Sequence, residues 1–118
     1  MAKKFELFSM KYEELQYTAA GTVVAGSFIT RDETNGFTLV DVVSGDKVTL
    51  VTKAEKVKVE VAAVTIVSGE AAYWDSSANN VTNVVGSNTL VGHFVRDAAS
   101  ADTHGFIKFD GALAFAKA

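Results

Sequence analysis

The sequence predicts a mainly β domain, a small antiparallel β-barrel or β-sandwich carrying an N-terminal arm. Three observations predict it. Strand-forming residues come in short runs from Thr22 onward, the runs are separated by Gly, Asn, Asp and Ser, and Val57, Val59 and Val61 alternate with Lys56, Lys58 and Glu60. Proline is absent from all 118 residues, so every reversal must be made by the other turn formers.

Residues 1–20 are the arm. Phe5, Phe8, Tyr12 and Leu15 recur at helical spacing, but Lys3, Lys4 and the Glu13-Glu14 pair leave a charged remainder. The segment is expected to be ordered by a partner or by its own domain. Residues 21–118 are expected to form one β domain. In it, "GTVVAGSFIT" leads to "RDETNG", where Asn35-Gly36 reads as a tight turn, since both tolerate left-handed backbone. "FTLVDVV" then reverses through Ser44-Gly45-Asp46 into "KVTLVT", a hairpin.

Val57, Val59 and Val61 give one buried and one wet face. After Val61 the phase flips to Val64 and Ile66, so Ala62-Ala63 must absorb one residue through a bulge, a bend or a change of sheet. Further strands are expected at residues 71–74, 81–85, 90–95 and 106–109, each bounded by turn residues. About eight short strands at this spacing suit a barrel or sandwich. No fixed-period repeat and no linker is visible in the sequence.

Composition narrows the function. There is no cysteine, which excludes disulfides and thiolate chemistry. The net charge is −3, with 11 basic residues scattered among 14 acids, unlike a surface that tracks phosphates, so no nucleic acid is expected. Residues 61–67, the longest apolar stretch, are too few to span a bilayer as a helix, and the basic start lacks the apolar run of a secretion signal. No membrane partner is expected. The 48% hydrophobic content leaves apolar surface available for an interface.

The chemical motifs are thin. Gly45-Asp46-Lys47-Val48-Thr49 lacks the upstream glycine of a phosphate loop. His93, Asp97, Asp102 and His104 are the only clustered ligand types, and a strand residue followed by solvated loop acids explains them better than a metal site. Asp32-Glu33-Thr34-Asn35-Gly36 lacks the alternating acids of a calcium loop. Glu13-Glu14 and Asp32-Glu33 are neighbours that diverge along an extended chain, and no Gly-x-Ser-x-Gly elbow presents a nucleophile. Lys53, Glu55, Lys56, Lys58 and Glu60 read as a solvated outer face. Tyr73 and Trp74 allow two readings, packing aromatics or a platform for a sugar. Asp75 before Ser76-Ser77 is expected to bond its own turn. No enzyme, metal or cofactor emerges.

Five segments occur in an order that resembles a bacteriophage family of small β-rich capsid cement, or decoration, proteins, sometimes labelled RecA/RadA-like. They are "VAG" (residues 24–26), "SGDKVTLVT" (44–52), "SGEAAYWD" (68–75), "NVT" (80–82) and "NTLVGHFVRDA" (88–98). The most recognisable pieces are Gly69-Glu70-Ala71-Ala72-Tyr73-Trp74-Asp75 and Leu90-Val91-Gly92. The chain departs from the family pattern at Ser27-Phe28 and at Lys56. The resemblance implies a non-enzymatic protein, made in the bacterial host cytoplasm, that binds the exterior of an expanded head through the major capsid protein and stabilises it. It further implies a homo-oligomer, with a trimer favoured. Lys3, Lys4, Phe5, Phe8, Tyr73 and Trp74 are the candidate capsid or inter-subunit contacts. The alternatives are a β-sandwich carbohydrate- or ligand-binding module built on Tyr73 and Trp74, and a metal hydrolase using His93 and His104.

Overall fold

A computed structural model describes residues 4–9, 11–31 and 34–111. Nine strands form one curled antiparallel sheet: β1 (Phe5–Leu7), β2 (Tyr12–Thr18), β3 (Phe28–Arg31), β4 (Thr34–Thr38), β5 (Lys47–Glu60), β6 (Ala71–Asp75), β7 (Asn80–Thr82), β8 (Thr89–Phe94) and β9 (His104–Asp110). The main path runs β3-β4-β5-β9-β8-β6-β7, while β1 and β2 also pair with β5. The sheet curls into an open half-barrel, and its far strand returns to the end of β5 through one bridge, Val61 to Val81. There the Ala62 N–H bonds the Val81 carbonyl at 2.9 Å.

The 14-residue β5 organises this arrangement. Residues 47–52 and 57–61, which read in sequence as separate runs, are one strand and its continuation. One edge of β5 carries β2 along its first half and β1 along its second, with Thr18 opposite Lys47 and Phe5 opposite Val59. The other edge carries β4 and then β9. These two meet at Gly111, whose N–H bonds the Thr52 carbonyl at 2.7 Å while its own carbonyl accepts from Asn35 N–H at 3.0 Å. The register shifts between Ala54 and Val57. That irregularity, with a second in the pairing to β2 opposite Val51 and Lys53, lets Val51, Ala54, Val57 and Val59 all join one core, which strict period 2 would forbid.

The core is centred on one ring. Phe5 is 1% exposed and lies 5.4–5.6 Å from Phe28, Phe37, Trp74 and Phe109, in stacked, tilted and edge-on geometries. β1 and β2 are therefore ordered by their own domain. The helical spacing of Phe5, Phe8, Tyr12 and Leu15 does not produce a helix, because backbone pairing with β5 and the burial of Phe5 override it.

The β scaffold is built twice. In the first copy, β2 is followed by a turn at residues 24–27, then β3, β4, a turn at 43–46 and the first half of β5. In the second, the last half of β5 is followed by a turn at 67–70, then β6, β8, a turn at 99–102 and β9. The registers correspond residue by residue: Phe28 to Phe37 and Ile29 to Gly36 in one, Ala71 to His93 and Ala72 to Gly92 in the other. So do Thr38 to Leu50 and Phe94 to Ile107. The Val23–Val42 bridge is repeated as Ile66–Ala98.

Side chains repeat as well. Asp41 Oδ1 accepts from Ala25 N–H at 2.7 Å, and Asp97 Oδ1 accepts from Ser68 N–H at 2.8 Å. Both glycines face a carbonyl. A Cβ on Gly36 would lie 2.6 Å from the Val51 oxygen, and one on Gly92 would overlap the Lys108 oxygen, which occupies the equivalent place. "DVVSGD" (residues 41–46) and "DAASAD" (97–102) are the visible trace of this duplication. The sequence shows no fixed period because the β7 hairpin is inserted in the second copy alone.

Other expectations need correction. Asn35-Gly36 is no turn. Both residues lie in β4 without positive φ, and Gly36 is required by its approach to Leu50 and Val51. The strand expected at 81–85 ends at Thr82, leaving Val84 and Val85 exposed. The phase change after Val61, by contrast, is made by one of the three expected means, a bend at residues 63–64 that leads Ile66 back into the core.

Phe5→Ala is expected to cost roughly 3–5 kcal/mol, because it removes a ring shared by four others and leaves a cavity. Urea unfolding would measure this, and a change under 1 kcal/mol would show that the other rings close the gap without Phe5.

Candidate interaction surface

The residues singled out by sequence fall into different environments. Lys3 lies outside the described residues. Lys4 is tied to β5, its ammonium paired with Glu60 and its carbonyl accepting from Glu60 N–H at 3.1 Å. Phe5 and Trp74 are in the core, and Trp74 stacks on Phe28 with ring centres 5.1 Å apart and 9% of its surface exposed. Tyr73 is half-buried in β6, opposite Thr82 of β7 and Leu90 of β8. Phe8 is 48% exposed. A sugar platform needs an open ring face, and Trp74 offers none.

Around Phe8 the strands assemble a surface that the sequence reading dispersed. Phe8 meets Phe106 edge to face at 5.4 Å. Lys56 and Arg96 stand over the Phe106 ring at 5.0 and 4.8 Å, and Lys58 stands 6.0 Å from the Phe8 ring. The cause is register. Lys58 pairs with Phe106 across β5 and β9, which sets the cations and the ring on one outer face, and Phe8 N–H bonds the Lys56 carbonyl at 2.9 Å. Lys108 continues the face two residues along β9, opposite His93. Glu6, opposite Lys58, and Glu60, bound by Lys4, form its border.

Cations held over aromatic rings are positioned with their stems packed and their charge outward. The result is a basic, aromatic face on a chain whose net charge is −3. Alternation along 56–60 already placed these lysines outside. Phe106, in β9, and Arg96, in the bend after β8, carried no local signal.

The polar residues near the aromatic corner hold turns. Glu70 accepts from Val67 N–H at 2.7 Å and from Asn83 Nδ2 at 3.1 Å, and Asn83 also donates to the Thr65 carbonyl. The Val67 bond, and then the Asn83 bond, hold the Glu70 carboxyl below its ordinary range. Asp75 accepts from Ser77 and Ala78 N–H at 2.9 and 3.2 Å, the expected self-bonded turn.

The ligand types at 93–104 are dispersed in the same way. Asp97 caps Ser68, Asp102 accepts from Ala99 N–H at 2.9 Å, and His104 meets Thr103. Among the described residues no three of His, Asp and Glu come together to hold a metal ion. A shallow hollow beside Tyr12 and Lys53 mixes Lys11, Glu13, Glu55 and Lys108 on an open surface.

A family model described as phage cement protein matches residues 10–109. No curated protein matches the chain. The match spans both copies of the duplicated scaffold and the Gly69–Asp75 corner, where Gly69 turns the chain, Glu70 holds the turn and Trp74 enters the core.

Trp74→Ala is expected to lower stability by roughly 3–5 kcal/mol in chemical denaturation. Unchanged stability with loss of a bound glycan would instead restore the platform reading. Glu70 contributes stability that is present above its unfolded pKa, near 4.5, and lost as pH falls through its lower folded value. The melting temperatures of the parent protein and Glu70→Gln should therefore differ at neutral pH and converge on acidification. A gap that widens below pH 4 would contradict this assignment.

Proposed function

The chain belongs to the phage cement protein family, whose members are structural and capsid-associated rather than enzymatic, and from that premise we propose that it binds the outer surface of the expanded head and stiffens it. The major capsid protein is the partner, and the active form is a homotrimer. The observation that carries this reading is the basic aromatic face formed by Phe8, Phe106, Lys56, Lys58 and Arg96. Such a face suits an acidic protein surface, with rings to exclude water and cations to pair with carboxylates.

Many identical sites on a lattice turn modest single contacts into firm attachment. A half-barrel with a dense aromatic centre is a stiff body for bridging neighbouring subunits. Of the residues expected to make contact, Phe8 is the ring available on the surface, and Lys4 borders the same face. Phe5 and Trp74 contribute by holding that face in shape from below.

Heads purified without the protein provide the test. The protein should bind expanded heads and not unexpanded proheads, and it should raise the temperature at which heads rupture. Equal rupture temperatures with and without it would overturn the stabilising role. Replacing Lys56 and Arg96 together by Glu should weaken binding by about tenfold or more, and added salt should weaken the parent protein's binding. Light scattering should give three times the monomer mass.

A further inference from the structure

Besides the β7 insertion, the two copies of the scaffold differ in what lies against the outer edge of their first strand. In the second copy that strand is the last half of β5, and β1 lies along it. Glu60 N–H donates to the Lys4 carbonyl at 3.1 Å and Phe8 N–H donates to the Lys56 carbonyl at 2.9 Å, so residues 56, 58 and 60 turn their backbone groups toward β1. In the first copy the strand is β2, and no described strand lies against its outer edge.

Backbone direction on β2 follows from the ladder. Ala19 faces β5, its N–H bonding the Asp46 carbonyl and its carbonyl accepting from Gly45 N–H, both at 2.8 Å. Alternation then turns Tyr17 and Leu15 toward β5, and Glu14, Gln16 and Thr18 outward. These three correspond to Lys56, Lys58 and Glu60 in the other copy. All three are exposed, and Tyr12 and Leu15 beside them are 41% and 38% exposed. A seven-residue edge with no proline and no lysine lacks two of the usual protections against strand addition.

We propose that the outer edge of β2, at Glu14, Gln16 and Thr18, receives an extended strand of the shell protein, as the edge of β5 receives β1. The inference rests on the capsid-binding reading above. The chain's own β1 shows what such an edge accepts: an antiparallel strand with apolar residues two apart, Phe5 and Leu7, and with charge matched across the ladder, Glu6 opposite Lys58 and Lys4 paired with Glu60. By the same rule the strand on β2 places a bulky apolar residue beside Leu15 and a basic residue opposite Glu14. A second copy's β2 has no lysine or arginine to offer there.

The test uses the full-length protein and expanded heads purified without it. Gln16→Pro removes one outward N–H and places a ring at the edge, while the bonds of Leu15 and Tyr17 to β5 are kept. Its melting temperature should stay near that of the parent protein, and its binding to heads should fall by about tenfold or more. Glu14→Lys, which keeps the backbone intact, should also weaken binding, and it carries the test if Gln16→Pro fails to fold. In hydrogen exchange the amides of residues 14, 16 and 18 should gain protection only when heads are added.

Both variants binding like the parent protein would overturn the edge assignment and leave the cement reading standing. A parent protein that does not bind heads at all would overturn both. Protection of the three amides on concentrating the protein alone, with loss of the oligomer in Gln16→Pro, would assign the edge to a second copy and overturn the shell-strand proposal.

Discussion

The structure depends on one strand doing two jobs. β5 closes the first copy of the scaffold and opens the second, so it must present pairing groups on both edges along its whole length and an apolar surface at both ends. A straight 14-residue strand cannot satisfy both copies, because Val51, Ala54 and Val57 all enter one core at odd-numbered spacings. The register shift between Ala54 and Val57 resolves this by turning the strand partway along, so Ala54 and Val57 enter one core although an odd-numbered spacing separates them. Most other features follow. β4 and β9 have to share an edge, which leaves room only for hydrogen at Gly111 where they meet. β1 and β2 have to share the opposite edge.

The aromatic centre is what that geometry makes possible. Phe5 from β1, Phe28 and Phe37 from β3 and β4, Trp74 from β6 and Phe109 from β9 come from both copies and from the strand outside them. Their contact joins two repeats into a single hydrophobic core. A separate, smaller cluster of Ala19, Val42 and Val48, with Tyr17 and Val23 against it, fills the corner of the first copy. Burial of the large rings leaves the outer face to Phe8 and Phe106, with Lys56, Lys58 and Arg96 set over them.

How much could be read in advance depended on the range of the forces involved. Alternation at Val57, Val59 and Val61 is set by neighbours in sequence, and it was legible. So were the Asp75 turn and the position of the phase change after Val61. Asn35-Gly36 was misread because local turn preference and a close strand crossing ask for the same residue types, and only Leu50 and Val51 distinguish them. The duplication was hidden by the β7 insertion and by how few residues it requires, chiefly an aspartate that holds the facing turn and a glycine at the crossing. Phe8, Phe106, Lys56 and Arg96 could not be grouped, because their nearness is a property of strand order. The family resemblance drew attention to Tyr73 and Trp74, whose order and spacing identify the fold more than a contact.

The sharing of β5 also bears on how the chain becomes folded. Its first partners are near the amino terminus, and its last, β9, ends at Asp110. The pairings of β5 with β1, β2 and β9 join segments far apart in sequence, an arrangement that slows folding because long loops must close before those contacts reward them. A ribosome releases β1 and β2 well before the residues that hold Phe5 in place exist. The early strands are then open edges with apolar side chains, the state most prone to pairing with the wrong neighbour. Folding of this small protein is therefore close to a single event that waits for the last strand, and a truncation before β9 would leave the first half without a stable structure of its own.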